Sequence, residues 1–235
     1  MSNHRLEPPD HIRWRSIIRC FFEGIEGFGV AVCVLLSWPV SRKWLKDWGA
    51  IQAERESAWP GDRLVDSNHK TVTRAIDIAA PAEVVWSWLV QFGFGRAGFY
   101  SYELLERLVG IPVVNVESVV PEWQSLSVGD EIVLHPKSPG IPIGLLKPGE
   151  YICFGESPET RDASSGEVPG RSWSMYIEPK NASKSRLILR SCIEYSEEMG
   201  WSEPLASWFG GAIDFVMEQR MLRTLKRLAE SDGSV

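Results

Sequence analysis

Four side chains are of types that could do acid–base or electrostatic chemistry in apolar surroundings. Arg96, Tyr100 and Tyr102 belong to the stretch GRAGFYSYELLE, residues 95–106, and Asp214 lies in a long segment near the C-terminus. An arginine binds a carboxylate or phenolate through forked hydrogen bonds, and a tyrosine hydroxyl can donate a proton or orient a carbonyl. A buried carboxylate with a raised pKa can act as a general base. If these side chains converge, they predict an acid–base site.

Each of them also has a structural interpretation, which we favour for the two charged residues. Arg96 would form an ion pair with Asp214 or Glu103, and Asp214 would connect its helix to Arg74 or Arg96. The two tyrosines would pack as aromatic rings with hydrogen-bonded hydroxyls, and this interpretation is as good as a chemical role. Structural ion pairs perturb pKa values as functional ones do, so residue type alone does not decide between the two.

Metal and redox motifs are missing from the sequence. The cysteines show no C-x-x-C spacing, and the histidines form no H-E-x-x-H group. A G-x-S-x-G elbow and a P-loop are missing too. We therefore expect no metal and no cofactor, with reduced and buried thiols in a cytoplasmic domain. The residues concerned are Cys20, Cys33, Cys153, Cys192, His4, His11, His69 and His135.

The composition predicts a folded domain with a large apolar interior. The 235 residues are 44% hydrophobic and include 11 tryptophans, which suits a wide core or an apolar cavity. The net charge of −6 argues against a nucleic-acid partner. Residues 1–50 nevertheless hold seven Lys+Arg against five Asp+Glu, so a basic excess lies beside the most hydrophobic segment.

That hydrophobic segment, GFGVAVCVLLSWPVS at 27–41, carries no charge and has arginines or lysines on both sides. Its length is below the about 20 residues that a spanning helix needs. We expect an apolar helix over residues 1–48, and three interpretations of it stay open. It is a short or tilted membrane anchor, an interfacial helix, or a helix packed on the domain. In the first two cases residues 15–45 would tether a cytoplasmic domain to a membrane.

After this helix the sequence predicts a linker over 49–70, leading into one domain over 71–231. Pro60 and Gly61 mark a turn within the linker. The domain opens with TVTRAIDI at 71–78, whose apolar residues alternate as in a strand with one buried face. Arg74 falls on that same face, where a buried arginine needs a partner.

Two helices and a series of strands follow. Proline and glycine delimit a helix over 81–93, and a second short helix ends at Gly110 with Glu106 expected to be solvated. Residues 156–171 predict a polar loop between strands. The strand-like segments are VNVESVV, GDEIVLHP, GEYICFG, RSWSMYIEP and SRLILRSCIEY, between residues 111 and 196.

The last element predicts a long helix over 203–230. Met217, Met221, Leu225 and Leu228 form an apolar stripe at helical spacing. Asp214 precedes Met217 by three residues, so we expect the carboxylate on the same stripe, either paired with an arginine or acting on a ligand.

This order of elements resembles the START/Bet v 1-like superfamily, also called SRPBCC or the polyketide cyclase/dehydrase and lipid-transport group. The segments that carry the resemblance are TRAIDIAAPAEVVWSWLVQFG, GRAGFYSYELLE, PEWQSLSVGDEI, AIDFVMEQRMLRTLKRLAE and, before the domain, DWGAIQAE with PGD. The expected fold is α+β: a curved antiparallel sheet wrapped around a long C-terminal helix, with two short helices after the first strand. An apolar N-terminal helix precedes it.

The resemblance implies a helix-grip domain with a deep, mostly apolar pocket. Members of the superfamily bind lipids, sterols, polyketides or plant hormones, and some catalyse cyclisation, dehydration or hydrolysis. Our leading hypothesis is binding of a hydrophobic or amphipathic small molecule. The alternatives are a cyclase/dehydratase-type enzyme and a ligand-free interaction module that uses the long helix and the 156–171 loop. The expected pocket residues are Arg96, Phe99, Tyr100, Tyr102, Trp123, Trp173, Met175, Asp214 and Met217.

Overall fold

The computed structural model describes residues 10–159, 161, 170–194 and 203–232. Its centre is a six-stranded antiparallel sheet in the order β1-β6-β5-β4-β3-β2. Strands β2 to β6 lie beside their neighbours in the chain, while β1 crosses over to pair with β6. The strands are β1 (His69–Ile78), β2 (Glu131–Ile132), β3 (Ile141–Lys147), β4 (Tyr151–Phe154), β5 (Arg171–Asn181) and β6 (Lys184–Glu194).

Helices surround this sheet, and the longest ones lie at the two ends of the chain. The C-terminal helix packs on one face of the sheet, which is the helix-grip arrangement that the sequence predicts. The helices are α1 (Asp10–Lys46), α2 (Gln52–Glu56), α3 (Ala82–Leu89), α4 (Glu103–Leu108) and α5 (Glu203–Asp232), with 3₁₀ turns at Pro60–Leu64 and Pro121–Trp123.

The core lies between the inner face of the sheet and α5. Alternate residues of β5 and β6 oppose each other across the ladder, with Met175 opposite Leu189. On the facing helix, Met221, Leu222 and Leu225 are at most 2% exposed. Each such side chain contributes about 1.5–3 kcal/mol by leaving water. The period-two and helical patterns in the sequence therefore identify the core correctly.

Some predicted strands are wrong. Residues 114–120 form no strand, because their backbone groups bond to side chains and loops: Val120 N–H donates to the Gln91 side chain and Val116 N–H to the Ala97 carbonyl. Only Glu131 and Ile132 of GDEIVLHP pair in the sheet. Strand β3, IPIGLLK, was missed because its proline and glycine interrupt the pattern. Of the predicted loop at 156–171, residues 160 and 162–169 lie outside the described part.

Residues 49–70 are folded onto the outer face of the sheet, although the sequence predicts a linker there. Glu54 of α2 is 5% exposed and forms an ion pair with Arg186 of β6. Asp62, in the 3₁₀ turn, bonds to Arg190 of β6 at 2.7 Å. Two buried arginines of the sheet thus take their counterions from this segment, which makes it part of the domain's structure.

Helix α1 contains the predicted apolar segment and packs along α5. Val34 and Leu45 are buried in a cluster with Ala212, Phe215 and Val216 of α5. The stretch Cys20–Trp38 has a mean hydropathy of 1.7 over 19 residues, which is long and apolar enough to cross a membrane by length and composition alone.

Candidate functional site

Arg96 lies in a tight turn that a bridge between Gly93 and Gly98 closes. Its terminal N–H groups donate to the carbonyls of Val90 at 3.1 Å and Trp123 at 2.7 Å. The Arg96 Nε–H is buried, and none of the described residues accepts a hydrogen bond from it. The predicted ion pairs of Arg96 with Asp214 or Glu103 are wrong, because backbone carbonyls hold the guanidinium instead.

The glycines of GFGRAG, residues 93–98, also have the spacing of a dinucleotide-binding turn. Here the stretch follows helix α3 and does not connect a strand to a helix, which is the context that such a turn needs. Gly93, Gly95 and Gly98 have positive φ angles, so the glycines serve the tight turn that presents Arg96.

Tyr100 is fully buried and its hydroxyl is engaged. It donates to the Trp88 carbonyl at 3.0 Å and accepts from Gln91 Nε2 at 2.9 Å. Burial raises the pKa of Tyr100 far above its ordinary value, although Gln91 and Arg96 act against the rise. Its backbone has a φ of 55°, a strained conformation that Asn115 supports by accepting the Tyr100 N–H. A phenol this well held is suited to structure and poorly suited to proton donation.

Tyr102 lies apart from that group, at the contact between α1 and α5. The Arg220 guanidinium sits 4.9 Å from the centre of its ring, and its hydroxyl donates to Glu26 of α1 at 3.5 Å. Met217 packs against the same cluster. The expected placement of Tyr102 beside Tyr100 in one pocket therefore does not occur, because α1 covers Tyr102.

Asp214 has an exposed side chain, so its predicted place on the buried stripe of α5 is wrong, although desolvation by its surroundings still raises the pKa of its carboxyl, against the charges of Arg74 and Arg171. Its predicted ion pair with Arg74 is formed by another acid, Glu218, one turn further along the helix. Glu218 also accepts the indole N–H of Trp173 at 3.1 Å. The sequence contained the signal for this contact, since a buried Arg74 required an acid and Glu218 was available at helical spacing from Asp214.

An aromatic wall lies between the sheet and the helices. We use this name for Phe92, Phe99, Phe154 and Trp173. The Phe92 ring lies 5.3 Å from both the Phe99 and the Trp173 rings, and Phe154 lies 5.6 Å from Trp173. Trp173 keeps part of its surface exposed. Phe99, Trp173 and Met175 thus belong to one apolar cluster, to which Trp123 adds a half-buried ring.

The four chemical candidates do not converge. Arg96 and Tyr100 are neighbours with separate partners, Tyr102 lies under α1, and Asp214 faces solvent near Arg74. Among the described residues no three His, Cys, Asp or Glu side chains are placed to hold a metal ion. The acid–base arrangement that the enzyme hypothesis requires is therefore not formed by these residues.

The middle of the space between sheet and α5 is filled by side chains, with Tyr100, Leu222 and Leu225 at 0% exposure. An open groove of about 520 Å³ lies instead on the surface between α1 and α5. Its walls include Val30, Val34, Trp44, Leu45 and Phe215, together with Glu26 and two serines. Apolar surface that a ligand could reach is therefore found nearer the edges of the domain than at its centre.

Glu106 is buried, contrary to the prediction of a solvated side chain. It is 8% exposed and accepts a hydrogen bond from the Ser101 hydroxyl at 2.7 Å. Burial raises the pKa of Glu106, and the hydrogen bond from Ser101 acts against the rise. The raised pKa means that the folded state holds the Glu106 proton more tightly than the unfolded state does. Below the unfolded pKa the group therefore costs no stability, and the free energy of unfolding falls as pH rises from the unfolded pKa through the folded pKa.

We expect the substitution Glu106→Gln to increase the melting temperature at about pH 8 by a few degrees relative to the wild type, and to have little effect near pH 4. The amide keeps the acceptor for Ser101 and removes the charge. Thermal unfolding of both proteins across this range measures the difference, with the exposed Glu122→Gln as control. A difference in melting temperature that does not change with pH would contradict the raised pKa assigned to Glu106.

Comparisons with protein-family models and with curated proteins both gave no match. Solved structures are similar in fold. A START superfamily protein from Mycobacterium smegmatis is 13% identical, with 70% of this chain and 99% of that chain covered and a TM-score of 0.37. An aromatase/cyclase from a Streptomyces species is 12% identical, with 69% of this chain and 94% of that chain covered and a TM-score of 0.33. A protein from Thermobifida fusca is 15% identical, with 67% of this chain and 94% of that chain covered and a TM-score of 0.38. The likeness concerns the fold alone.

Proposed function

We propose that this protein binds a hydrophobic or amphipathic small molecule, with Arg96 as the contact for a carboxylate, phenolate or carbonyl of the ligand. The observation that carries the proposal is the state of the Arg96 guanidinium. Only backbone carbonyls accept its hydrogen bonds, and its buried Nε–H has no acceptor among the described residues. Asp130 acts on Arg96 electrostatically, without an ion-pair contact.

An N–H group in this state needs a physical explanation. A buried donor without an acceptor costs about 1–3 kcal/mol, and native structures contain few of them. A ligand oxygen that displaces the side chains packed over this N–H would remove that cost and add a charge-assisted hydrogen bond. Burial lowers the pKa of Arg96, and Asp130 opposes this. A guanidinium nevertheless stays a cation in proteins, so it attracts an anionic or strongly polar oxygen.

The surroundings of Arg96 suit an apolar ligand body. Its turn sits against β2, where Ile132 packs beside Gly93 and Phe94 N–H bonds to the Val133 carbonyl. Partly buried apolar side chains at this edge leave surface for a ligand: Phe94, Trp123, Leu126, Leu134 and Ile141. The polar contact and the apolar surface are thus adjacent, as amphipathic recognition requires.

The aromatic wall begins at the same turn. Phe92 precedes Gly93 and Phe99 follows Gly98, and their rings pack at 5.3 Å. A ligand with its oxygen at Arg96 would therefore place its rings or chains beside aromatic side chains, which contribute large contact areas. This position lies at the rim of the packed interior and does not need a cavity at its centre.

Two measurements on the full chain test the proposal. Solvent extraction of the natively purified protein, followed by mass spectrometry, is expected to release an apolar or amphipathic molecule in stoichiometric amount. Calorimetry with 2-naphthoate and its neutral methyl ester is expected to show preference for the acid. The Arg96→Met variant should lose about ten- to hundred-fold in affinity for the acid, because a hydrogen bond to a charged group contributes about 1.5–3 kcal/mol.

The exposed Arg63→Met is the matched control and should bind the acid as the wild type does. The methyl ester should lose less affinity in Arg96→Met than the acid does, since it keeps a carbonyl oxygen but lacks the charge that Arg96 would contact. An extract without any bound molecule, together with equal binding of 2-naphthoate by the wild type and Arg96→Met, would refute the proposal.

A further inference from the structure

We propose that α1 lies in the plane of a bilayer surface containing anionic lipids, with one face inserted and the helix-grip domain on the aqueous side. The inserted face, called the outer stripe here, consists of Phe21, Ile25, Phe28, Val32 and Leu36. The inference goes beyond the proposed ligand binding and depends on a different part of the molecule.

The outer stripe is a continuous apolar surface without a partner among the described residues. Its members follow one another at intervals of three or four, so they fall within a sector of about 80° on the helix. Phe21, Phe28 and Leu36 are 58%, 64% and 80% exposed. Isolated exposed apolar residues are ordinary, whereas a row of five on one helix face marks an interaction surface.

The opposite face of α1 is held to the domain along most of the helix. Glu23 bonds to Arg220 of α5 at 2.7 Å near one end, and the Leu45 carbonyl accepts from buried Arg74 at 3.1 Å near the other. Between them the backbone approaches its neighbours closely at small residues. These contacts are Gly24 with Leu104, Gly27 with the Tyr102 ring, and Trp38 with Gly211.

This attachment decides between the ways in which an apolar helix can meet a membrane. The stretch Cys20–Trp38 could cross a bilayer only by leaving α4 and α5 or by carrying them into the hydrocarbon. Leaving them would break the Glu23 ion pair and expose the buried Val34 and Leu45. Carrying them would bury the exposed cations Arg223 and Arg227 of α5, at a cost of several kcal/mol each. A helix that lies in the plane of the membrane surface keeps its contacts with the domain and leaves these arginines in water.

The charges on α1 match an anionic lipid surface. Lys43 and Lys46 are exposed and continue the sector of the outer stripe at the C-terminal end, and Arg42 is exposed beside them. The two acids whose side chains the structure describes lie elsewhere on the helix: Glu23 pairs with Arg220, and Glu26 stands beside Tyr102. An apolar row that ends in lysines is suited to insertion among acyl chains with headgroup phosphates at one end.

Sedimentation of the full chain with vesicles tests the surface. We expect binding to phosphatidylcholine vesicles that contain phosphatidylglycerol, and about hundred-fold weaker partitioning of the variant Phe28→Gln with Leu36→Gln, because two large apolar side chains lose their insertion. The matched control, Val114→Gln with Val128→Gln, removes two exposed apolar residues away from α1 and should bind normally.

The lysines are tested by the preference for anionic over neutral vesicles. Lys43→Gln with Lys46→Gln should reduce this preference by about ten- to thirty-fold, and the control Lys180→Gln with Lys184→Gln should leave it unchanged.

Depth measurements separate an in-plane helix from a spanning one. Nitroxide labels at Phe28→Cys and Leu36→Cys, in proteins that lack Cys20 and Cys33, should report the same shallow depth. A spanning helix would separate the two labels by about 12 Å along the bilayer normal, at 1.5 Å per residue.

Three results would overturn the proposal: equal vesicle binding by the outer-stripe and control variants, labels at depths that differ by that spacing, or a soluble dimer that buries the stripe and binds no vesicles. Equal binding of 2-naphthoate by the wild type and Arg96→Met would count against the proposed ligand binding, but normal vesicle binding in the same proteins would leave the membrane proposal intact. The failures of the two proposals are therefore distinguishable.

Discussion

Replacing Glu54 by alanine is expected to lower the free energy of unfolding by about 3 kcal/mol, because it leaves the Arg186 guanidinium buried without its main counterion. The Arg186 side chain is 9% exposed, and both of its bonds to Glu54 are lost in the variant. Asp77 and the Gly49 carbonyl remain as partners, which places the cost at the low end of about 3–5 kcal/mol for breaking a buried pair. Urea unfolding at neutral pH measures it.

Glu56→Ala, two residues away in the same helix, is the matched control. Glu56 is exposed and, among the described residues, accepts a hydrogen bond only from Gln52, so the loss should stay below about 0.5 kcal/mol. Equal losses in the two variants would show that residues 49–70 do not stabilise the sheet.

The pH dependence of the same contact follows from its pKa. Burial by itself raises the pKa of Glu54, but hydrogen bonds from Arg186 and the Ile51 N–H outweigh it and leave the pKa below its ordinary value. The contribution of Glu54 to stability is therefore present above the unfolded pKa of about 4.3 and lost as pH falls through the folded pKa. We expect the gap in stability between wild type and Glu54→Gln to narrow below about pH 4. A gap that widens on acidification would contradict this.

The second large effect is expected at Glu218. Glu218→Leu should destabilise the domain by about 3–5 kcal/mol, because it leaves the charge of Arg74 buried. Arg74 is 3% exposed, and burial lowers its pKa to about 10, against the charges of Asp214 and Asp47, so the guanidinium is still charged at neutral pH. The variant also removes the acceptor of the Trp173 indole N–H.

Three further proteins separate these contributions in urea unfolding. Glu218→Gln keeps an acceptor for Trp173 and should lose less than Glu218→Leu. The double variant with Arg74→Met should recover about 1–3 kcal/mol, because it removes the uncompensated charge. Asp214→Leu, on the same helix, removes only a charge that acts on Arg74 without an ion-pair contact, and should lose clearly less stability than Glu218→Leu. An equal loss of stability in Asp214→Leu and Glu218→Leu would contradict the assignment of Glu218 as the main partner of Arg74.

Local patterns in the sequence were sufficient for the central strands and the C-terminal helix. Apolar alternation in RSWSMYIEP and SRLILRSCIEY gave β5 and β6, and helical spacing gave the buried face of α5. These inferences succeed because side-chain periods of 2 and 3.6 are properties of a single element. The need of Arg74 for a partner was also readable, because an arginine on an apolar strand face must be compensated wherever the rest of the chain lies.

The partners themselves depended on how distant elements cross. Arg74 and Glu218 are 144 positions apart in the chain, and Glu54 and Arg186 are 132 apart. No local pattern distinguishes Glu218 from Asp214, since both stand on the same helix and only the angle at which α5 crosses β1 brings one of them to the arginine. Glu106 became buried for the same kind of reason, because its short helix packs where Ser101 faces it.

The candidate site also divides into features that the local sequence predicts and features that only the packing of distant elements decides. The sequence determined that Arg96, Phe99 and Trp173 belong near an apolar region, because their types and neighbours predict it. The tertiary structure decided that Arg96 keeps an unpaired N–H, that Tyr102 lies under α1, and that α1 turns an apolar stripe away from the domain. Composition and periodicity establish which surfaces are apolar. Which of them is covered is determined by packing between elements that are far apart in the chain.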